Sequence, residues 1–431
     1  MDAKRFDKIR ALIDEIPVID VHTHLGTGGM WQARDLTDIL FYHWLGTELR
    51  NAGLPEEIWS PLSNGQGALS LDLRERVRAG MLYCGAIRNT SNYWAFKGIM
   101  RDLYGIDGGL NEGNWEKAID AVAERAQDAG WEQEVLKRAK IEKTGIEFNC
   151  KPRDSVCYFN YAYAEPLYGA GLGDPKALEK MIGKKVETGA ELDAALTQTV
   201  KRLAVKEDVN ALHVWLPASW RYTRIQDFEI DRLLYYWMNG ETISGYEQNC
   251  LASFSADIMA REASNYRLVV QLFHGSAAYG KGMQVGTWHP DFMRTLIYHI
   301  GAHHKTEYDV FLATRNASHE ATSMARMHTN LMVSGAWWHG FTPTTLTEFF
   351  RDRLEMLPMT RWNAFYSDAY CVEWCYGKLL LTRNRLAVAL TEMVEEGLIG
   401  ADDVAPIAKA VLYDNPKREY LDHGSDAPLG F

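Results

Sequence analysis

The stretch IPVIDVHTHLGTGG, residues 16–29, indicates a buried strand that ends in a polar, glycine-rich loop. Its apolar residues are β-branched and continuous, as in the strands of parallel sheets. His22 and His24 follow at alternating positions. Residues i and i+2 of a strand point to the same side, so both imidazoles are expected on one face. The stretch therefore predicts a strand whose C-terminal end carries two histidines.

Seven further runs of this kind occur along the chain, separated by long stretches of helical pattern. Each run is rich in β-branched or aromatic residues and is short enough for one buried strand. Strand and helix in eightfold alternation predict an α/β fold, a distorted (β/α)8 barrel of the TIM type. The seven runs are residues 145–150, 157–166, 209–217, 266–275, 308–316, 329–338 and 362–370.

Two helical regions extend this predicted barrel, which we expect to form one domain over residues 1–431. Residues 30–140, between the first two runs, predict an inserted helical subdomain. In it, Leu36, Ile39 and Leu40 recur at helical spacing. The residues after the eighth run predict a helical C-terminal tail, in which Gly397 and Gly400 break two amphipathic helices.

Charge and composition exclude several classes of partner. The chain has 46 basic and 57 acidic residues, a net charge of −11, and no block rich in Lys or Arg, which argues against nucleic acid. Charges interrupt the N-terminal residues 1–17, and no apolar run is long enough to span a bilayer. The six cysteines are scattered without a CxxC pair. We expect a cytoplasmic protein with no membrane partner.

Asp368 is the residue expected to join the two histidines. It lies at the end of the eighth run, which neighbours the first run in a closed barrel. Two buried imidazoles need partners, and a carboxylate beside them can complete an N,N,O metal site or act as a general base. The alternatives are that His22 and His24 are structural and that Asp368 caps the following helix. The pattern favours a metal or catalytic site.

Other polar and aromatic residues also follow the runs and are candidates for the same site. His213 lies within its run, which is more typical of a packed core histidine. Four cationic residues near strand ends are either substrate contacts or solvated charges: Lys151, Arg153, Arg221 and Arg224. The aromatic residues Tyr163, Tyr370, Trp337 and Trp338 would suit stacking on a sugar ring or a planar substrate. The candidates therefore suggest an aromatic-walled pocket for a small molecule.

Several motifs resemble a known family. DVHTHL on the first strand, with an Asp at the end of the eighth, resembles the amidohydrolase superfamily. ARDLTDILFYHW, NLMVSGAWW followed by RDRLEMLP, and YSDAYCVEWCYGKLL resemble its uronate (glucuronate) isomerase branch. The resemblance covers most of the chain, and its C-terminal third is the most specific part.

This resemblance implies an aldose–ketose isomerase of carbohydrate metabolism, acting on a sugar acid. The family converts glucuronate or galacturonate to fructuronate or tagaturonate by proton transfer between C1 and C2. The implied ligands of a divalent metal, expected to be zinc, are His22, His24 and Asp368, with His274 as a further candidate whose strand position leaves its direction open. The implied catalytic residues are Asp368, His43 and Arg315. The implied substrate-binding residues are Trp337, Trp338, Tyr163, Tyr370 and Trp44.

Two departures from the family pattern leave the substrate open. Tyr370 stands where the family usually has Arg after the last strand, and Tyr163 stands where it has Arg on the third. Arg grips a carboxylate through two parallel hydrogen bonds, whereas Tyr offers one hydroxyl. A metal-dependent hydrolase or decarboxylase with another substrate is the alternative, and a non-catalytic sugar-binding relative is a third reading. We expect a homo-oligomer in each case.

Overall fold

The structure is a computed structural model that describes residues 2–58, 72–152, 155–224, 227–279, 283–286 and 290–422. Within these residues it has nine strands and eighteen α-helices. The strands are β1 (Val18–Asp20), β2 (Ile141–Glu147), β3 (Tyr158–Tyr163), β4 (Val209–Trp215), β5 (Val269–His274), β6 (Ser276–Tyr279), β7 (Met283–Gly286), β8 (Tyr308–Leu312) and β9 (Leu331–Ser334).

The helices connect these strands and follow the last of them. Before β4 they are α1 (Ala3–Asp14), α2 (Leu36–Leu40), α3 (His43–Asn51), α4 (Leu73–Tyr83), α5 (Ser91–Tyr104), α6 (Trp115–Ala126), α7 (Trp131–Ala139), α8 (Glu165–Tyr168), α9 (Pro175–Ile182) and α10 (Gly189–Lys206). After β4 they are α11 (Asp227–Met238), α12 (Gly245–Tyr266), α13 (Pro290–Ala302), α14 (Ser318–Met327), α15 (Pro343–Met356), α16 (Val372–Glu395), α17 (Val404–Lys409) and α18 (Asn415–Tyr420). No described helix has the length and apolar content of a bilayer span.

The chain divides into two compact units. Unit 1 consists of Met1–Tyr158, Thr342–Thr347 and Phe365–Ala408. Its strands β1 and β2 are parallel, and its helix α16 packs against α1, α5 and α7. Because α16 is contacted from several sides, apolar residues are buried around most of its circumference. This central helix begins four residues after Asp368, so its position also fixes the segment that carries Asp368.

Unit 2 consists of Phe159–Phe341, Glu348–Ala364 and Lys409–Phe431. Its strands β3, β4, β5, β8 and β9 are parallel neighbours in that order. The helix α12 packs against α8, α10 and α11. A capping box between Ser244 and Glu247 sets its start, since each side chain bonds the other's backbone N–H. At least one helix lies between successive parallel strands of this unit.

The predicted α/β class is confirmed, and seven of the eight predicted runs contain a strand. The second strand begins earlier than predicted, at Ile141. The eighth run contains no strand, only a single parallel bridge between Asn363 and Ser334. A positive φ of 52° at Asp368 is incompatible with a regular strand there. The antiparallel hairpin of β6 and β7 was not predicted.

The eighth run nevertheless lies beside the segment that follows β1, within unit 1. Asp368 donates its backbone N–H to the His22 carbonyl at 3.0 Å, and His24 donates to the Ala369 carbonyl at 2.8 Å. These two bonds replace a regular ladder where the chain leaves the strand geometry. The expected adjacency of the first and eighth runs therefore holds.

Gly26, in the turn after His24, provides a test of this local structure. Its φ is +84°, and an added Cβ would lie 2.6 Å from Trp31 Cζ2 and 2.8 Å from Cys150 Cβ. We expect Gly26→Ala to lower the free energy of unfolding by about 2–3 kcal/mol, from backbone strain and overpacking. Gly28 has a φ of +62° and open space around it. Gly28→Ala is the control, with an expected loss of about 1 kcal/mol. Equal losses by urea unfolding would contradict the packing argument.

Candidate metal and acid–base site

The structure brings His22, His24 and Asp368 together in unit 1. Asp368 Oδ1 lies 3.0 Å from His24 Nε2 and 3.7 Å from His22 Nε2. The two imidazole rings are 5.2 Å apart and nearly perpendicular. One ligand atom from each residue lies within 4.8 Å of the others. Two histidines and a carboxylate more than 340 positions away in the sequence therefore point at one small volume.

The backbone fixes the two histidines from both sides. Thr23, between them, bonds the Gly145 carbonyl on β2 through its backbone N–H (2.9 Å) and its hydroxyl (2.8 Å). The Asp368 segment bonds their own backbone groups, as described above. His22 and His24 lie just beyond β1, in a segment without regular secondary structure. Both rings nevertheless lie on the side of Asp368, as the i, i+2 spacing predicts.

A buried polar layer supports the segment that carries Asp368. Asp20, which ends β1, accepts the backbone N–H of Ser367 at 2.8 Å. Burial raises the pKa of Asp20 to about 7, against the lowering effect of its hydrogen bonds with Ser367. Lys378, on α16, donates to the carbonyls of Ser367 (2.5 Å) and Asp368 (3.4 Å). Side chains from β1 and α16 thus hold this irregular segment in place.

Electrostatics favour the ionised form of Asp368. Burial by itself would raise the pKa of the carboxyl, but the hydrogen bond and charge of His24 lower it below its ordinary value. Lys378 and His22 act in the same direction. Asp368 is therefore a carboxylate at neutral pH, which is the state that binds a cation or accepts a proton.

Tyr42 and Tyr370 complete the surroundings of the cluster. Tyr42 donates its hydroxyl to the Asp368 carbonyl at 3.4 Å and accepts the Tyr370 backbone N–H at 3.2 Å. The Tyr370 ring stacks on His24, with centroids 4.5 Å apart and planes 12° from parallel. Tyr42 itself stacks on Trp374 of α16. One buried hydroxyl thus joins the two residues that flank Ala369.

Removing that hydroxyl should loosen the Asp368 segment. We expect Tyr42→Phe to lower the free energy of unfolding by about 1–3 kcal/mol, because the buried Tyr370 N–H loses its acceptor. The bound-metal content should be unchanged, and kcat should fall because Asp368 is less well placed. Urea unfolding, metal analysis and kinetics check the three parts. Tyr376→Phe, which removes a hydroxyl bonded to Asp102 on α5, is the control and should leave kcat unaltered.

His43 and Trp44 lie at the start of α3, also in unit 1 and half-buried. Their rings meet edge to face at 5.1 Å, and the His43 ring lies 5.8 Å from that of Tyr42. His43 has a φ of 38°, a region that few non-glycine residues adopt. Strain of this kind often accompanies a functional position. Through Tyr42, the helix start is linked to the Asp368 segment.

The predicted aromatic residues of unit 2 form a second group. Trp337 is buried against Trp338, Trp215 and Phe273, with ring distances of 4.2, 5.2 and 5.1 Å. Tyr163, which ends β3, packs edge to face on His213 at 4.8 Å. These side chains lie at or after the C-terminal ends of parallel strands, so they lie at the same end of the sheet in this unit. They form an aromatic wall there.

Other predicted residues have different surroundings. Arg315 is exposed and pairs with Glu348 at 3.0 Å. His274 ends β5 and stacks on Phe292 at 3.6 Å, and burial lowers its pKa to about 3. Neither belongs to the His22, His24, Asp368 group. Arg221 bonds the carbonyls of Ala218 and Trp220, Arg224 pairs with Asp257, Lys151 is exposed, and Arg153 lies outside the described residues.

Sequence reasoning missed the residues that support this site. Asp20, Tyr42 and Lys378 lie within motifs that resemble the family, but those motifs did not indicate a supporting role, which only the tertiary contacts show. His213 was expected to be a packed core residue, and it is buried, but its Nδ1 lies 2.6 Å from Glu165 Oε1. The only sequence signal for the Glu165–His213 pair was the position of Glu165, two residues after the end of β3.

The fold is that of the uronate isomerases, which agrees with the predicted resemblance. The uronate isomerase of Thermotoga maritima matches with a TM-score of 0.85 and 15% identity, over 98% of both chains. The glucuronate isomerase of Caulobacter crescentus matches with a TM-score of 0.82 and 16% identity, over 99% of this chain and 95% of its own. The uronate isomerase of Bacillus halodurans C-125 matches with a TM-score of 0.73 and 17% identity, over 97% of both chains. No protein-family model and no curated protein sequence matches. At these identities the likeness establishes the fold.

Proposed function

We propose that this protein is an aldose–ketose isomerase of the uronate isomerase type. It would convert glucuronate or galacturonate to fructuronate or tagaturonate, as a sugar-acid isomerase of carbohydrate metabolism. The observation that carries the proposal is the convergence of His22, His24 and Asp368 on one point, in a fold shared with uronate isomerases. Because fold alone does not define function, the cluster supplies the chemical part of the argument.

The reaction moves two protons and leaves the atom count of the sugar unchanged. The C2 proton goes to C1, and the hydroxyl proton goes from O2 to O1. In our proposal the ionised Asp368 accepts the C2 proton and returns it to C1. A carboxylate has two oxygen atoms, so Oδ1 can contact the histidines while the other acts on the substrate. His43 is the proposed partner for the oxygen-bound proton.

The donor set also fits a divalent cation. Two imidazole nitrogens and one carboxylate oxygen are ligands that zinc commonly takes from proteins, and their spacing in unit 1 suits a single ion. We propose zinc, held by His22, His24 and Asp368; His274, the further ligand that the family resemblance implies, lies in unit 2 and outside this group. When bound, the ion would polarise oxygen atoms of the substrate.

The proposed substrate contacts are mostly aromatic. Tyr370 lies on His24 and therefore beside the cluster. Trp44, Tyr163, Trp337 and Trp338 are the other proposed binding residues, with Arg315 as a proposed catalytic cation for the sugar acid. Aromatic rings suit the apolar face of a sugar, and their hydroxyl and indole N–H groups suit its polar rim.

The remaining expectations stay part of the proposal. We propose that residues 1–431 form a single metal-dependent barrel domain, with residues 30–140 as an inserted helical subdomain and a helical C-terminal tail. We also propose a cytoplasmic homo-oligomer without nucleic-acid or membrane partners. Size-exclusion chromatography with light scattering tests the oligomeric state.

A direct assay tests the proposed reaction. Purified protein is incubated with glucuronate and with galacturonate, with and without added Zn²⁺, and the ketose product is measured. We expect fructuronate or tagaturonate to form, and in D₂O the product should carry deuterium at C1, because the shuttling carboxyl exchanges its proton with solvent. Absence of ketose from both sugar acids under all conditions would refute the proposal.

Tyr370 favours a second candidate, a metal-dependent hydrolase or decarboxylase with a different substrate. Here a neutral phenol is stacked on His24 where the family usually has an arginine. The neutral hydroxyl of Tyr370 binds the carboxylate of a sugar acid less strongly than an arginine would. Lactones, amides and aromatic acids form the test panel. Turnover of one of them, with none of the uronates, would favour this candidate over the isomerase.

A further inference from the structure

A second group of metal-binding side chains lies in unit 2, apart from the proposed catalytic cluster. Asp257 is on α12, His299 is on α13, and His303 directly follows α13. One ligand atom from each lies within 4.8 Å of the others. The i, i+4 spacing of the two histidines puts both on one face of a helix. In the structure that face is turned to α12.

We propose that Asp257, His299 and His303 form a second zinc site, which ties α13 to α12. The donor set is two imidazoles and one carboxylate, which suits zinc. His303 Nε2 lies 2.6 Å and His299 Nδ1 lies 3.7 Å from Asp257 Oδ1. Two ligand atoms on one tetrahedral zinc lie about 3.4 Å apart. The two observed distances bracket that value, so small side-chain shifts would admit the ion.

The orientation of His299 is an independent indication. This side chain is fully buried. Its Nδ1 points at Asp257 and neither donates nor accepts a hydrogen bond among the described residues. Its other nitrogen, Nε2, contacts the hydroxyls of Tyr168 and Tyr308. Metal-binding histidines are commonly held in this manner, with one nitrogen bonded to a neighbour and the other aimed at the ion. The two tyrosines therefore set the ring for binding through Nδ1.

Two other groups contact Asp257 and shape the expected behaviour. Tyr222 donates its hydroxyl to Asp257 Oδ1 at 2.7 Å, and Arg224 Nε lies 3.4 Å from Oδ2. The Arg224 side chain is 63% exposed, so it can swing into solvent when a cation enters. Its positive charge opposes zinc binding. Removing that charge should therefore tighten the site, an effect that a purely structural hydrogen-bond network would not show.

The position of the group indicates a structural role. The three proposed ligands lie on α12, on α13 and directly after α13, and the residues that contact them lie on α8, in the segment after β4 and at the start of β8, all within unit 2. Three protein ligands from two helical segments would cross-link those segments. Zinc bound here should therefore raise the melting temperature of the protein, because it binds the folded state and not the unfolded one.

The test uses the full chain with both histidines of the first cluster replaced, His22→Gln/His24→Gln, so that this cluster cannot bind zinc. After chelation and dialysis, Zn²⁺ is added and its binding is measured by calorimetry and elemental analysis. We expect about one equivalent of zinc per chain and a zinc-dependent rise in melting temperature. Absence of both would overturn the proposal, whether or not the protein isomerises uronates.

Point variants in that background locate the ion. His303→Gln, whose amide can still bond Asp257, should weaken zinc binding by at least about tenfold. His304→Gln, which changes the adjacent exposed histidine, is the matched control and should leave the affinity unaltered. Arg224→Gln should tighten binding by about two- to fivefold. Equal affinities for the His303 and His304 variants would overturn the assignment, and so would weaker binding after Arg224→Gln.

Discussion

Asp368→Asn is expected to reduce kcat for hexuronate isomerisation by about 10²- to 10⁴-fold, the usual contribution of a positioned general base. The amide has nearly the shape of the carboxylate but cannot accept the C2 proton. The backbone bonds that hold residue 368, to His22 and Tyr42, do not involve its side chain and should survive. Steady-state kinetics with the better of the two uronates, and circular dichroism for the fold, measure the effect.

Asp38→Asn is the matched control for this variant. Asp38 is also a buried carboxylate of unit 1, but it pairs with Arg34 and not with the histidines. Its replacement should leave kcat within about twofold of the original while costing some stability. Activity retained by Asp368→Asn would remove this residue from the mechanism and would favour a non-catalytic sugar-binding protein.

The largest expected effect on stability belongs to Glu373, in the first turn of α16. This fully buried carboxylate accepts three hydrogen bonds: from the Tyr104 hydroxyl at 2.9 Å, the Trp131 indole N–H at 3.0 Å and the Ala33 backbone N–H at 3.0 Å. Burial raises the pKa of Glu373, so the side chain is held there at a cost. Glu373→Leu leaves three buried donors without acceptors, and we expect a loss of about 3–6 kcal/mol.

Graded replacements separate this network from general damage to α16. Glu373→Gln keeps one oxygen for Tyr104 and Trp131 but turns an amide NH₂ towards Ala33, so it should cost about 1–3 kcal/mol. Glu395→Leu, at the exposed end of the same helix, should change stability by less than about 0.5 kcal/mol. Urea unfolding ranks the three, and a Gln variant as unstable as the Leu variant would show that the hydrogen bonds are not the cause.

The sequence was informative where one physical pattern dominates. Continuous β-branched runs indicate buried parallel strands because both faces of such strands are covered. The runs that contain β1, β4, β5, β8 and β9 were located in this way. The His-x-His spacing was informative because strand alternation is a local property. The eighth run was misread as a strand because its apolar residues are buried in an irregular segment, which composition alone does not distinguish.

The supporting contacts of the site were beyond prediction. Lys378 and Tyr42 are separated from Asp368 by 10 and 326 positions, and each acts by bonding a backbone carbonyl, which leaves no mark in a sequence pattern. Arg315 shows the opposite case: its place after a strand suggested the site, yet its side chain is exposed and paired with Glu348. The position of a residue after a strand places its backbone near the site, whereas the direction of its side chain depends on the residues that surround it.

What the sequence determined by itself is the location of the seven parallel strands and the two histidines after the first of them, because burial and alternation act over a few residues. Only the tertiary structure decided that the Asp368 segment leaves the strand conformation and bonds the backbone of His22 and His24, and that Asp257 meets His299 and His303. Those contacts join residues far apart in the chain. They depend on how complete helices and strands pack, and no local spacing records that packing.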